Sequence, residues 1–312
     1  MTSPLIDVQR PSAFVARVFL NRPDVRNAFN EDSIAELTRV FTALAHDTTL
    51  RAIVLGAHGK AFCAGADLGW MREMAGFDWE RNRADAQALA DMLWAVYRCP
   101  VPVVGRIHGD CYAGGVGLAA VCDVLVAGED VTFCLSEARL GLLPGTISPY
   151  VIRAMGEQAA RRYFVTAERF SAAQARAFGF VHELCAADAL DAKVDEIVAA
   201  LVANGPMAVR ACKLLVQDVA GAPITEALRA ETARRIADIR ASDEGREGVQ
   251  SFLNKRKPAW LIDRPGTTCR STRPICSRSP PRSAGPAGCA CTRSCSSPAW
   301  RARSAGSNCR PA

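Results

Sequence analysis

No stretch of this 312-residue chain approaches the roughly 20 consecutive apolar residues that a membrane-spanning helix needs. Histidine is scarce and scattered: His46, His58, His108 and His182 form no HExxH or HxxxH pair. A zinc site built on adjacent helical turns is therefore not expected, and no resident metal is called for. The GxSxG elbow of serine hydrolases is missing, as is any Ser-His-Asp arrangement. The amino terminus, MTSPLIDVQRPSAF, has neither the basic start nor the apolar core of a secretory signal, which points to an intracellular, cytoplasmic chain.

From Arg264 to Ala312 there is no acidic residue and no lysine, but there are nine arginines. Taking these from the net charge of +6 leaves Met1–Asp263 at about −3, so the basic character belongs to the tail. The rest offers no electrostatic case for nucleic acid. Six of the thirteen cysteines also lie in the tail. The other seven, Cys63, Cys99, Cys111, Cys122, Cys134, Cys185 and Cys212, are odd in number and fit no disulfide framework. They read as reduced, mostly buried thiols. The tail itself has no hydrophobic periodicity with which to bury a core and is expected to be disordered. Its Arg, Pro, Ser, Cys, Ala and Gly are residues of GC-rich codons, the composition of an out-of-frame extension. An arginine-rich arm for polyanions is the other reading. Cys289, Cys291 and Cys295, without histidine or a repeated CxxC, do not make a metal cluster.

What is present is an alternation of strand-like and helix-like stretches. Ala13–Leu20, Arg51–Ala57, Val101–Ile107, Asp123–Ala127 and Val131–Phe133 read as strands, and the runs apolar throughout as buried parallel ones. Asn30 caps a helix carrying Ile34, Leu37, Phe41 and Leu44, and a longer helix occupies Trp79–Tyr97. From Ser148 the chain is mostly helical: Ser148–Met155, Glu157–Val165, Ser171–Phe178, Ala189–Ala203, Pro206–Val219, Ile224–Ala241 and Glu244–Asn254, interrupted only by a strand at Phe180–Leu184. This order predicts an α/β fold with a helical C-terminal part. The predicted domains are a core over residues 1–200, a helical region over 201–263, and the tail over 264–312.

The chemistry-bearing stretch is Ile107–Gly117, IHGDCYAGGVG, read with Lys60–Asp67, KAFCAGAD. The first ends a strand and opens a short helix predicted at Leu118–Cys122. Gly114, Gly115 and Gly117 strip side chains from the place where that helix begins. Bare N–H groups at a helix start can bind an anion or a developing negative charge. The broken turn Ala64-Gly65-Ala66 can supply a second donor, and two donors make an oxyanion hole. From the residues alone, glycines ahead of a helix more often serve tight turns or close packing.

KAFCAGADL, IHGDCYAGGVGLAAVCD and FCLSEARLGLLPG, with LNRPDVRNAFN near the start and SFLNKRKPAW near the end, resemble the crotonase (enoyl-CoA hydratase/isomerase) superfamily over Val8–Trp260. The resemblance implies a spiral ββα core with a C-terminal helical region that makes homotrimers, often paired into hexamers. It implies an acyl-CoA substrate, with coenzyme A part of that substrate and no separate cofactor. It places the thioester oxygen on the amides of Ala66 and Gly114. The superfamily's hydratases generally use two glutamates, and here one position is Glu137 while the other is Gly117. The sequence therefore departs from the two-carboxylate pattern. GADLGWM, GGVGL and GTISPY are similar to the branch acting on 3-methylglutaconyl-CoA and terpenoid glutaconyl-CoA esters, which places the chain in leucine or terpenoid breakdown.

On that resemblance, Glu137 alone is the catalytic acid and base; by itself it reads as a loop acid. Arg26, Ala64, Gly65, Asp67, Lys255 and Lys257 are the candidates for binding CoA, with the late cluster reaching a neighbouring subunit. Asp67 reads by itself as the structural cap of a following helix rather than a base. Trp70 and Tyr112 are candidates for the acyl pocket or the core. Arg72, Arg153 and the helix start near Ser148 are candidates for a second substrate carboxylate. Cys63 and Cys111 read as small apolar filling. The leading expectation is a hydratase for a branched enoyl-CoA. An enoyl-CoA Δ-isomerase is the alternative, and a non-catalytic acyl-CoA binder or an RNA binder working through the tail is the reading from another class.

Overall fold

A computed structural model describes residues 4–261; the expectations for the arginine-rich tail lie outside the described residues. The main sheet takes the strands β1 (Ile6–Ser12), β2 (Val15–Leu20), β3 (Ala52–Ala57) and β4 (Val103–Ile107). A second, three-stranded sheet starts with β5 (Cys111–Tyr112). The remaining strands are β6 (Val124–Gly128), β7 (Thr132–Cys134), β8 (Arg169–Ser171) and β9 (Glu183–Cys185). The main sheet runs β1-β2-β3-β4-β6-β9, antiparallel only between β1 and β2, and the second runs β5-β7-β8.

Eleven helices connect and cover these sheets among the described residues: α1 (Glu31–Ala45), α2 (Leu68–Met74), α3 (Trp79–Tyr97), α4 (Gly114–Ala120), α5 (Ser148–Met155), α6 (Glu157–Thr166), α7 (Ala172–Ala177), α8 (Leu190–Ala203), α9 (Pro206–Val219), α10 (Glu226–Ala241) and α11 (Asp243–Leu253). β3 is buried at all six positions, because helices cover both of its faces. Ile53 and Leu55 meet the main core with Leu37 and Phe41 of α1 and Met92 and Leu93 of α3. Ala52 and Val54 point the other way, onto Leu190, Val194 and Val198 of α8. The alternation of strand side chains produces this division. Asn30 caps α1 reciprocally with Ser33, as its residue type predicts.

The α/β expectation holds, with specific corrections. The helix predicted at Leu118–Cys122 starts at Gly114, so the glycines form its first turns. The strand predicted at Phe180–Leu184 is β9, at Glu183–Cys185; Phe180 and Val181 instead plug the core after a left-handed turn at Gly179. β1, β5 and β8 are additional elements, and α2 is the helix expected after Asp67. The boundary drawn between residues 200 and 201 falls inside α8.

One buried ion pair fastens α9 to the sheet. Lys213 Nζ lies 2.7 Å from Asp123 Oδ2, which also accepts the Val103 N–H at 2.8 Å. Both groups sit at the amino-terminal ends of β4 and β6. Burial pushes the Asp123 carboxyl above its ordinary value, against the pull of Lys213. Lys213→Met would leave that carboxylate without its cation, and a loss of about 3 kcal/mol is expected. For a domain of this size this lowers Tm by roughly 6–12 °C, to be checked by calorimetry.

Candidate active site

The site forms where loops leave the carboxyl-terminal ends of the parallel strands. After β2, Arg26 and Asn27 adopt left-handed backbone, with φ 54° and 56°. This turns the Asn27 side chain inward, where its amide donates to the carbonyls of His58 (2.8 Å) and Ala61 (2.9 Å). The β2 and β3 loops are thereby joined. The next residues make a short parallel bridge: the Phe29 N–H donates to Gly65 O (2.7 Å), and the Asp67 N–H donates to Phe29 O (2.8 Å). In this pattern Phe29 uses the groups on either side of Ala66. The Ala66 N–H faces away from the bridge and has no acceptor among the described residues.

A second bridge holds the β4 loop against the first. Cys63 pairs with Cys111, and Tyr112 N–H donates to Cys63 O at 2.9 Å. Both thiols are buried, and burial pushes Cys63 up to about 12, so it fills space and is no nucleophile at neutral pH. Gly65 (φ +92°) is packed so closely that a Cβ there would stand 2.9 Å from the Ala113 Cβ and 3.8 Å from the Gly114 nitrogen. The two glycine-bearing loops are therefore in contact.

Ala113 precedes α4 with φ 46° and ψ −119°, a region costly to a residue with a side chain, by about 1–3 kcal/mol. Its N–H is fixed to Cys134 O at 2.8 Å, and its carbonyl accepts from Val116. The Gly114 N–H, first in the helix, has no acceptor among the described residues. Two unpaired amides thus come from two touching loops.

Glu137 enters from β7, three residues after Cys134, in a 3-10 turn over Glu137–Leu140. β7 runs parallel to β5, so Glu137 emerges at the same edge as Ala113 and Gly114. Its Oε2 is buried without a hydrogen-bond partner. Burial pushes the carboxyl above its usual value, and the hydrogen bond from its own amide only partly offsets this. Asp67 behaves oppositely. Its Oδ1 caps α2 through Gly69 N–H (2.7 Å), and its Oδ2 pairs with Arg22 at 2.9 Å. Burial raises its pKa, but the Gly69 amide and Arg22 together outweigh that and leave it lowered. Its carboxylate is thus committed to the protein, which corrects its candidacy as a CoA-binding side chain.

Two unpaired amides, with a carboxyl bearing one buried, unpartnered oxygen at the same sheet edge, are a set that can hold a carbonyl oxygen and move a proton. Residues 10–262 match the model of the enoyl-CoA hydratase/isomerase family. The chain belongs to that family. The crystal structure of an enoyl-CoA hydratase from Shewanella pealeana superposes with a TM-score of 0.79 at 39% identity, covering 82% of this chain and 96% of that one. The enoyl-CoA hydratase ACTT6 of Alternaria alternata is 33% identical, over 80% of this chain and 82% of its own length. The 2,3-dehydroadipyl-CoA hydratase of Escherichia coli is 31% identical, over 77% and 92%. The fold is the crotonase fold, as the resemblance implied.

Within this family fold the other predicted residues separate. Arg26 is exposed beside the site, its carbonyl accepting the Ala64 N–H at 3.0 Å. Ala64 and Gly65 lie in the same turn. Trp70 is buried, and its Nε1 donates to Asp85 of α3 at 3.1 Å, tying α2 down. Tyr112 is half-buried under the Arg169 guanidinium, 5.5 Å from its ring. Arg72 is exposed on α2. Arg153 is not brought to the amides: it lines a cleft with Pro102 and Asp123, at the opposite ends of the strands, and donates to Pro149 O. Ser148, at the start of α5, donates its hydroxyl to Gly145 O.

Lys255 and Lys257 are also remote. They follow α11 beside Trp260, whose carbonyl accepts from Arg51 at the start of β3. Six strand residues, about 20 Å, separate that end of β3 from the site end.

Gly117 holds the least expected finding. A Cβ on Gly117 would stand 2.6 Å from the Ile147 Cβ, so isoleucine fills the place open to a second carboxylate. Asn27, Ala113 and Ile147 are the residues that sequence reasoning missed; the only available signals were their places inside the family's motifs.

Gly117→Glu should lower stability by about 1–3 kcal/mol through overpacking, recovered in part by pairing it with Ile147→Ala; denaturant unfolding measures both. Glu137→Gln should raise Tm at neutral pH. A carboxyl whose folded pKa is raised binds its proton more tightly in the native state, so stability falls as pH rises from the ordinary value of 4.5 through the folded value. The gain from the glutamine should therefore vanish below pH 4.5, as Tm against pH would show.

Proposed function

We propose that this chain adds water to a branched α,β-unsaturated acyl-CoA, with 3-methylglutaconyl-CoA or a terpenoid glutaconyl-CoA as the fitting substrate. The observation that carries the reading is the Glu137 carboxyl, whose Oε2 is buried without a hydrogen-bond partner, at the edge where the unpaired Ala66 and Gly114 amides lie. The thioester oxygen would accept from both amides. As water adds, negative charge moves onto that oxygen, and fixed N–H dipoles stabilise it by about 3–4 kcal/mol each. Glu137 as carboxylate takes a proton from water while the hydroxyl bonds to the β-carbon. As carboxylic acid it returns the proton to the α-carbon of the enolate. One group serves both transfers on one face, so the missing second carboxylate at Gly117 is no obstacle.

The name of the E. coli relative, 2,3-dehydroadipyl-CoA hydratase, supports a substrate with a distal carboxylate. Arg72 is the candidate cation on the site side of the sheet, and Arg26 suits a CoA phosphate. Exposed Leu140, Leu142, Leu143, Phe252 and Leu253 favour association of copies as a homotrimer or hexamer. In such an assembly Lys255 and Lys257 would serve a neighbour's CoA rather than their own.

A single carboxylate also suits an enoyl-CoA Δ-isomerase, and the apolar Ile147 beside Gly117 favours keeping that second reading. Oxygen-18 from labelled water in the product separates the two, since isomerisation incorporates none. In the test, purified protein is given a panel of enoyl-CoA esters. Glu137→Gln should lower hydration kcat by roughly 10²–10⁴-fold with KM little changed. Undiminished turnover would remove Glu137 from the mechanism.

A further inference from the structure

Ile147 immediately precedes α5, is 2% exposed, and has its carbonyl fixed by the N–H groups of Tyr150 and Val151 at 3.1 and 3.0 Å. A β-branched side chain so placed has little rotamer freedom. It presses on Gly117, one turn along α4 from the free Gly114 amide. A substituent on Gly117 would lean toward the amino-terminal end of its helix, the end where that amide points. Ile147 therefore lies in the space next to a carbonyl held there.

Ala120, three residues beyond Gly117, and Tyr150, three residues beyond Ile147, line a cleft of about 820 Å³. Ala120 is only about 4.5 Å further along the helix than Gly117. The facing positions on α4 are small, Gly117 and Ala120, while α5 packs alongside. The α4–α5 contact thus runs from the Gly117 turn toward the cleft at the other ends of the strands, and Ile147 supplies the bulk at its site end.

We infer that Ile147 is a specificity-determining residue, closing the α4–α5 seam and restricting the site to short or compact acyl groups. The inference rests on the acyl-CoA reading above. An acyl chain that starts at the Gly114 amide and follows α4 meets isoleucine after about one turn, roughly 5 Å or the reach of a few carbon atoms. A branched, compact acyl group stops short of it, whereas a long straight chain does not.

The test compares wild type, Ile147→Val and Ile147→Ala in the full chain. Calorimetry gives Kd for butyryl-CoA and decanoyl-CoA, and kinetics gives kcat/KM for the matching 2-enoyl esters. Ile147→Ala should shift the long-to-short affinity ratio toward decanoyl-CoA by about 10-fold or more. Ile147→Val should shift it less, in the same direction, and decides the matter if the alanine variant does not fold. Equal changes for both chain lengths overturn the inference. If the affinity ratio shifts but no ester is hydrated, the hydratase reading falls and the role of Ile147 stands. Hydration with an unchanged length profile overturns the role of Ile147 and leaves the hydratase reading standing. No binding of either acyl-CoA sinks both.

Discussion

The Phe29–Ala66 bridge is two hydrogen bonds long, and the free amide at the site depends on it. A peptide N–H left without an acceptor is ordinarily a defect in a folded protein. Here the neighbouring Gly65 carbonyl and Asp67 amide are the groups that bond, and the Ala66 N–H is turned outward by the alternation of the backbone. The bridge in turn needs the left-handed turn at Arg26 and Asn27, and the Asn27 side chain that clamps the next loop. The Gly114 amide is freed by a different device. Ala113 is held in a costly conformation by its bond to Cys134, which frees the first N–H of α4 at the edge where Glu137 emerges. Both N–H groups are fixed by the fold itself, so in the proposed reaction they need no reorganisation as charge develops.

Two acids on the loops of this site show how environment sets a carboxyl's state. Asp67 is met by a helix start and by Arg22, which hold it ionised and immobile. Glu137 is met by apolar burial, which raises its pKa toward the range where a group can both take and return a proton. The burial that suits Glu137 to the proposed proton transfers also makes it a liability to the fold.

Long, strongly patterned elements were legible in the sequence: α3 occupies Trp79–Tyr97 and α9 occupies Pro206–Val219, as predicted. The two- and three-residue strands β5 and β8 carry too few residues for any periodicity, and β1 is an exposed edge strand with a proline and a register shift. The glycine stretch announced an unusual helix start, but not that the helix would begin on the glycines. Ile147 was illegible as a partner of Gly117, because they are thirty residues apart in sequence and only the packing of α5 on α4 brings them together. The late lysines had a family motif to recommend them, yet the fastening of Trp260 to Arg51 carries them to the wrong end of the strands for their own chain.

The Lys213–Asp123 pair has a consequence beyond holding α9. It anchors the helical region at one end of the parallel strands, while the amides and Glu137 occupy the other. Groups separated by a full strand length and sharing no partner contribute nearly independently to the free energy of the molecule. The loops that handle the acyl group can therefore change through many substitutions without loosening the anchor, and the anchor can weaken without retuning the chemistry. The parallel strands act as an insulator between what keeps this chain folded and what decides which molecule it transforms.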